Sequence, residues 1–321
     1  YCFGRRQRIF CQKSYLSILR SKSCKSGENC FPKYAAVIQE AQTRKRYRIR
    51  HFPAHVQDNR IRQVRIPYWT LSGDNPMIQN FQYLIQTPDG TSIPSFWAYR
   101  LYAALLEQLP VEFADAVHEQ GFSAISQYIR FDHEKHQNIW VVSLLTDDAI
   151  SYCAPILTNI THLSLHESTI IIKKIQQSDV LTADTIITQA EQLSSSQAVR
   201  IVFHNAASFK SNGIYQIFPT VPLILQNLLQ RWNEFFPEML LEDDDAIQML
   251  TNNLRIRSYR LKSSTYRLKQ SSIPGFCGEI IISSKLSPPM LELWKMLLIF
   301  SEYAGIGIKT ALGMGGISIF V

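Results

Sequence analysis

Gly305-Ile-Gly-Ile-Lys-Thr-Ala-Leu-Gly-Met-Gly-Gly-Ile-Ser-Ile-Phe-Val321 puts five glycines within twelve positions. They lie between an amphipathic pattern ending near Tyr303 and an apolar run, 317–321, that reads as a strand. Glycine at that density takes φ > 0 without steric cost and lets backbone N–H groups approach an anion such as phosphate. Two other glycine motifs fail. A Walker loop needs glycine directly before Lys-Thr, and here Ile308 precedes Lys309-Thr310; a dinucleotide fingerprint runs strand, glycines, helix, and here the order is reversed. A plain helix-to-strand connection with a glycine C-cap at Gly305 is the remaining alternative.

Upstream of this stretch one order of elements occurs twice. Phe81, Tyr83 and Ile85 alternate in a run carrying Gln82 and Gln86, and Pro88-Asp-Gly90 closes that strand with turn chemistry. Trp97, Leu101, Ala104 and Leu105 form a helical stripe that Pro110 stops, and a short second helix runs to about His118. Strands follow at 123–131 and 138–145 around the hairpin Asp132-His-Glu-Lys-His136. Thr146 then caps a helix that Pro155 is expected to kink or end, and a β-branched strand covers 169–175. The order is βαββαβ. Residues 182–197, polar and serine-rich, are expected to be a linker. After them the order repeats: a strand at 199–203, a helix at 220–236 with Leu225, Leu228, Leu229, Trp232 and Phe235 on one face, and strands at 254–262 and 276–283. Ser287-Pro288 opens a last helix, and 316–321 closes the unit. The expected class is α+β, with two ferredoxin-like units in tandem at 76–180 and 196–321 and a glycine-rich loop at 305–316. Residues 1–75 show no such periodicity and are read as a basic, irregular extension.

Charge is divided along the same line. The chain carries +7, but residues 1–75 hold 16 of the 33 Lys+Arg and 4 of the 26 Asp+Glu, which leaves 17 basic against 22 acidic residues, a net of −5, for 76–321. Any surface for nucleic acid in that acidic body has to be a local patch. The candidate patch lies in 254–269, where Arg255, Arg257, Arg260 and Lys262 interleave with Tyr259 on a strand and its turn. An exposed amphipathic hairpin is the plainer alternative. The six cysteines match no common zinc spacing and read as reduced thiols, and His133 and His136 sit on a solvated hairpin tip, so no metal site and no cofactor is expected. Lys295 and Glu302 interrupt the longest apolar stretch, so no membrane span is expected and the cytoplasm is the expected location.

Helix, Gly-x-Gly, five residues, Gly-x-Gly and a closing strand resembles the C-terminal signature of the CRISPR-associated repeat-RNA endoribonucleases, the sixth in the numbered Cas series, within the RAMP superfamily. Two tandem ferredoxin-like units are the architecture of that family. Its glycine-rich loop helps to bind repeat RNA, which implies that Gly305, Gly307, Lys309, Gly313 and Gly315 touch the substrate. The resemblance becomes specific within 102–119. The family has a tyrosine on its first helix and an apolar-His-Glu triplet after the next short helix, both in the active site; Tyr102 and His118 are the matching positions. Residues 199–210, followed by Phe218-Pro219, are similar to its central strand and Ser-Phe-Lys turn. Many members place a lysine soon after the histidine. No lysine lies between His118 and Lys135 here, so Arg130 or Lys210 has to stand in, or the enzyme is slow.

The resemblance implies metal-independent cleavage within a stem-loop repeat of a precursor transcript, by 2′-OH attack that leaves a cyclic phosphate and a 5′-hydroxyl. A histidine suits that chemistry on its own terms, because imidazole titrates near neutral pH and can move a proton in either direction. A CRISPR effector complex and a homodimer are further partners the resemblance allows. An RNA-binding effector subunit without chemistry, or an inactive paralogue, are the rival readings.

Overall fold

The computed structural model describes residues 77–119, 123–165, 168–193, 196–269 and 271–321, apart from the side chains of 116, 118 and 119. The basic extension 1–75 lies outside these residues.

The first half is built on a five-stranded sheet. Strand β1 (Gln79–Gln86) leads through a 3-10 turn into helices α1 (Ala98–Leu106) and α2 (Val111–Glu119), and β2 (Ile125–Asp132) and β3 (Gln137–Leu144) form a hairpin. Helix α3 (Asp147–Asn159) is followed by β4 (His162–Leu165) and β5 (Ser168–Gln177). The strand order is β2-β3-β1-β5-β4, with β1 antiparallel to both β3 and β5. The βαββαβ order is therefore present, with β4 added at the edge. The alternation read at 81, 83 and 85 places Phe81, Tyr83 and Ile85 in the core with Trp140, and the Tyr83 hydroxyl donates 2.6 Å to Leu157 O.

Pro155 neither ends nor interrupts α3, contrary to expectation. Ala149, Cys153 and Leu157 are buried along one face, while Pro155 and Ser151, whose carbonyl the ring deprives of its N–H donor, lie on the exposed face. On the exposed face that carbonyl is open to solvent, and burial of the opposite face carries the helix through.

The second half repeats the plan. Helix α4 (Ala183–Gln192) precedes β6 (Ala198–Ala207), the small hairpin β7 (Phe209–Ser211) and β8 (Ile214–Gln216), and helices α5 (Val221–Phe235) and α6 (Asp244–Asn253). The long hairpin β9 (Leu254–Arg267) and β10 (Ser272–Ser284), helix α7 (Pro288–Ala304) and β11 (Ile317–Phe320) complete it. The order β11-β6-β10-β9 is again that of a ferredoxin-like sheet, with β9 at the edge. Residues 182–197, expected as a linker, instead contain α4: Thr182 and Thr185 make a capping box, and Ala183, Ile186 and Ala190 are buried in the second core. The small apolar residues of that stripe were outweighed by their polar neighbours. Strand β9 also runs beyond the expected 254–262, with a shift of register near Ser258 that lets Ile256 and Leu261 both pack on the core.

Candidate active site

A cavity of about 650 Å³ opens between the two halves. From the first half it is lined by Tyr102 on α1, Val117 on α2 and Ser123; from the second by Lys210 on β7, Asn227 and Arg231 on α5, and the loop residues 307–312. Its cations are Lys210, Arg231 and Lys309, and no acidic residue lines it among the described residues. That is a positive hollow in a segment whose formal charge is −5.

Tyr102 reaches the cavity because α1 turns Leu101 and Leu105 fully into the core and leaves position 102 at the margin of that stripe, 4 % exposed. Its hydroxyl lies 3.4 Å from Ser123 Oγ. Burial pushes its pKa up to about 12, opposed by the Ser123 hydrogen bond, so at neutral pH it keeps a proton that it can donate. His118 follows the buried, cavity-lining Val117 in the last turn of α2; its side chain lies outside the described residues.

The glycine-rich loop is a tightly bonded structure. Ile306 N donates to Gly315 O, Gly307 N to Asn227 Oδ1, Ile308 N to Ser208 O, Gly315 N to Ala206 O and Gly316 N to Asn205 Oδ1. Gly305 N and Gly313 N are likewise bonded within the chain. The expected role of glycine N–H groups as ligand donors therefore falls away at Gly305, Gly307, Gly313 and Gly315. What requires glycine is close passage with φ > 0: a Cβ on Gly313 (φ 100°) would strike the Ala98 methyl and the Tyr266 hydroxyl, and one on Gly307 (φ 101°) the Ser208 carbonyl. The N–H groups of Lys309, Thr310 and Ala311 have no hydrogen-bond partner among the described residues, and all three residues line the cavity. Lys309 itself takes the left-handed conformation, φ 58°, with its side chain exposed.

Side chains that the sequence did not mark hold this loop in place. Arg231, 3 % exposed, donates to Ala304 O at 2.8 Å and to Gly307 O and Thr310 Oγ1 at 3.0 Å. Burial lowers its pKa to about 10, which leaves it charged at neutral pH. Gln127 Nε2 of β2 donates to Ala311 O at 2.7 Å, Asn205 Nδ2 to Gly313 O at 2.6 Å and Tyr266 OH to Leu312 O at 2.6 Å. The available signal was a cation inside an apolar stripe: Arg231 stands three residues after Leu228 and beside Trp232, both fully buried.

Tyr102, Lys210, Gly307 and Lys309 are thus brought to one cavity, with the His118 backbone one residue from its wall. Gly305, Gly313 and Gly315 build the loop behind it. Arg255, Arg257, Arg260 and Lys262 lie apart from the cavity, exposed along edge strand β9, where Arg260 is 3.9 Å from Glu279 and Arg255 donates to Thr251 O and Leu254 O. Of the two stand-ins for the missing lysine, Lys210 lines the cavity and Arg130 does not; Arg130 reaches Gln82 Oε1 across the first sheet. His204 on β6 is also elsewhere: its Nε2 is 2.8 Å from Ser318 Oγ, its ring stacks on Tyr128 at 5.8 Å, and burial and Arg130 lower its pKa to about 4. Among the described residues no cluster of His, Cys, Asp and Glu could hold a metal ion, and no helix is long and apolar enough to cross a membrane.

A family model described as "CRISPR-associated endoribonuclease Cas6" matches residues 201–317. The Cas6 endoribonuclease of Streptococcus thermophilus is 31 % identical over 223 residues, covering 69 % of this chain and 90 % of the relative. That of Mycobacterium tuberculosis is 22 % identical over 224 residues, covering 68 % and 70 %. Among solved structures, a Cas6 product complex superposes with a TM-score of 0.63 at 21 % identity, covering 76 % of this chain and all of the other; Thermus thermophilus Cas6 gives 0.60 at 17 %, covering 77 % and all. At those identities the structures bear on the fold, and the two tandem ferredoxin-like units agree with it.

Proposed function

Because the chain belongs to the Cas6 family of CRISPR-associated endoribonucleases, we propose that it binds the stem-loop of a CRISPR repeat and cuts it by metal-independent transesterification in the cavity that Tyr102 and Lys210 share. The observation that carries this reading is the acid-free, cationic lining of that cavity. A polyanion is attracted there, and the described lining offers a divalent cation no carboxylate. The same reading divides the chain into ferredoxin-like units at 76–180 and 196–321.

In the reaction His118 takes the proton of the 2′-hydroxyl, and the 2′-oxygen attacks the adjacent phosphorus. The bond to the 5′-oxygen breaks, that oxygen acquires a proton, and the products are a 2′,3′-cyclic phosphate and a 5′-hydroxyl. Negative charge gathers on the non-bridging oxygens at the transition state. Lys210 and Lys309, with the unpartnered N–H groups of Lys309, Thr310 and Ala311, are the donors placed to stabilise it, and the Tyr102 hydroxyl is a further donor. Arg255, Arg257, Arg260 and Lys262 on β9 would follow the backbone of the RNA outside the cavity.

The test is cleavage of a repeat hairpin in excess EDTA, alongside an RNA with a single 2′-deoxy residue before the scissile phosphate. The expected result is cutting in EDTA, a cyclic phosphate at the new 3′ end and no cutting at the 2′-deoxy position. Loss of cutting in EDTA, or cutting past the deoxy residue, overturns the mechanism.

A further inference from the structure

Strand β8, the segment after it and strand β9 carry large exposed side chains. Ile214, Tyr215, Ile217 and Phe218 are 66, 38, 46 and 47 % exposed, and Tyr259 on β9 is 62 % exposed. Patches of large exposed side chains on a folded protein mark contact surfaces. Phe218 and Tyr259 are neighbours: their ring centroids are 5.3 Å apart with planes at 85°, an edge-to-face pair. Since both rings remain about half exposed, the pair holds its geometry and still offers ring surface to a third aromatic group.

The charges beside this pair indicate the partner. Lys210 Nζ stands 5.8 Å from the centroid of Tyr215, opposite it in the β7–β8 hairpin, and Lys210 also lines the cavity. Lys210 therefore connects the cavity to the Tyr215 ring of the hairpin, two residues before Ile217-Phe218 in the chain. Arg257, Arg260 and Lys262 flank Tyr259 on the strand, all exposed, and no acidic residue occurs in 206–221 or 254–269. Rings that accept any flat base, on a strand where Arg257 and Lys262 are exposed and Arg260 lies 3.9 Å from Glu279, suit single-stranded nucleic acid rather than a protein surface.

We propose that Phe218 and Tyr259 form a stacking platform for unpaired nucleotides of the RNA that adjoin the reaction cavity, with Lys210 and Arg257 holding their phosphates. This rests on the repeat-RNA reading above. It adds a subsite for unpaired bases outside the stem and outside the cleavage chemistry.

The experiment compares the full chain with Phe218→Leu and Tyr259→Leu on two RNAs, a blunt hairpin and the same hairpin with single-stranded flanks at both ends. Leucine keeps apolar bulk and removes the ring. Wild type is expected to bind the flanked RNA more tightly than the blunt one, and each variant to lose about tenfold more affinity for the flanked RNA than for the blunt one. A 2-aminopurine placed in the flank should be quenched by wild type and brighten in the variants. Equal losses on both RNAs, no loss, or no benefit from the flank in wild type overturns the platform. So does a change of monomer–dimer mass in the variants with the flank benefit intact, which would make the patch a protein contact. A wild type that binds neither RNA fails the repeat-RNA reading itself, and this inference with it.

Discussion

The two halves share one strand order and differ in how the chain returns to the final strand. In the first, α3 passes through two residues into the β4–β5 hairpin, and none of the described residues of that return has a positive φ. In the second, α7 ends at Gly305 and twelve residues intervene before β11, among them Gly305, Gly307, Lys309, Gly313 and Gly315 with positive φ. The cavity lies against the second kind of return. The difference also divides the proposed labour: His118 and Tyr102, which move or share a proton, come from the first half, whereas Lys210, Lys309 and the loop, which meet the phosphate, come from the second. A duplicated fold supplies two equivalent scaffolds, and chemistry collects where the repetition is broken.

The largest expected effect tests that division directly. His118→Ala should lower single-turnover cleavage by about 10²–10⁴-fold with little change in repeat affinity, because proton transfer is felt in the rate and not in binding. Wild-type cutting by that variant removes the first half from the chemistry.

Next in size is the contrast between two glycines. Gly313→Val adds side-chain atoms where Ala98 and Tyr266 already stand, at φ 100°, and should cost about 3 kcal/mol of unfolding free energy. Gly90→Ala has the same left-handed need, φ 74°, but open space around it, and should cost about 1 kcal/mol. Denaturant midpoints decide, and equal losses would mean the loop has no more packing than a turn.

A pH profile probes the contact between the halves. His204 stacks on Tyr128 and carries a lowered pKa, so its charged form is disfavoured in the folded chain. Its contribution is present above about pH 6.5 and is lost as pH falls toward 4, an acid loss of about 2 kcal/mol after discounting for its partial exposure. His204→Gln should flatten that slope in urea melts across the window; an unchanged slope assigns the acid sensitivity to other groups.

The smallest effect is on affinity. Lys309→Ala should weaken RNA binding by about three- to tenfold and reduce the salt slope by about one unit, with the rate at saturation less affected than by His118→Ala. A variant that binds normally and cuts slowly would exchange the roles assigned to the two halves.

Much of the fold was legible because its strands alternate and its long helices carry wide apolar stripes, as at Phe81–Ile85 and Leu225–Trp232. The elements missed have little to show. Helix α6 buries only Leu250, β4 has four residues, and α4 offers two alanines and one isoleucine. For the candidate site, the sequence named Tyr102, Lys210, Gly307 and Lys309, which line one cavity, but it could not tell a glycine kept for close packing from one kept for a ligand, because the two look alike in one dimension. Gln127, Asn205, Arg231 and Tyr266 act through contacts over long sequence separations, 184 residues from Gln127 to Ala311, which no local pattern carries.

That separation has a consequence for how the chain reaches its native state. Gln127 bonds to Ala311 and Tyr128 to Ile317, 184 and 189 positions later. Residues of β2 must therefore wait for almost the whole of the second half to be synthesised before those partners exist. Closing loops of that length is entropically slow, and high contact order lengthens folding times. During synthesis the first sheet would stand with Tyr128 uncovered, a partly open intermediate that closes only when the glycine-rich segment arrives. A nascent chain stopped before residue 305 should accordingly be the species most open to proteases and to association.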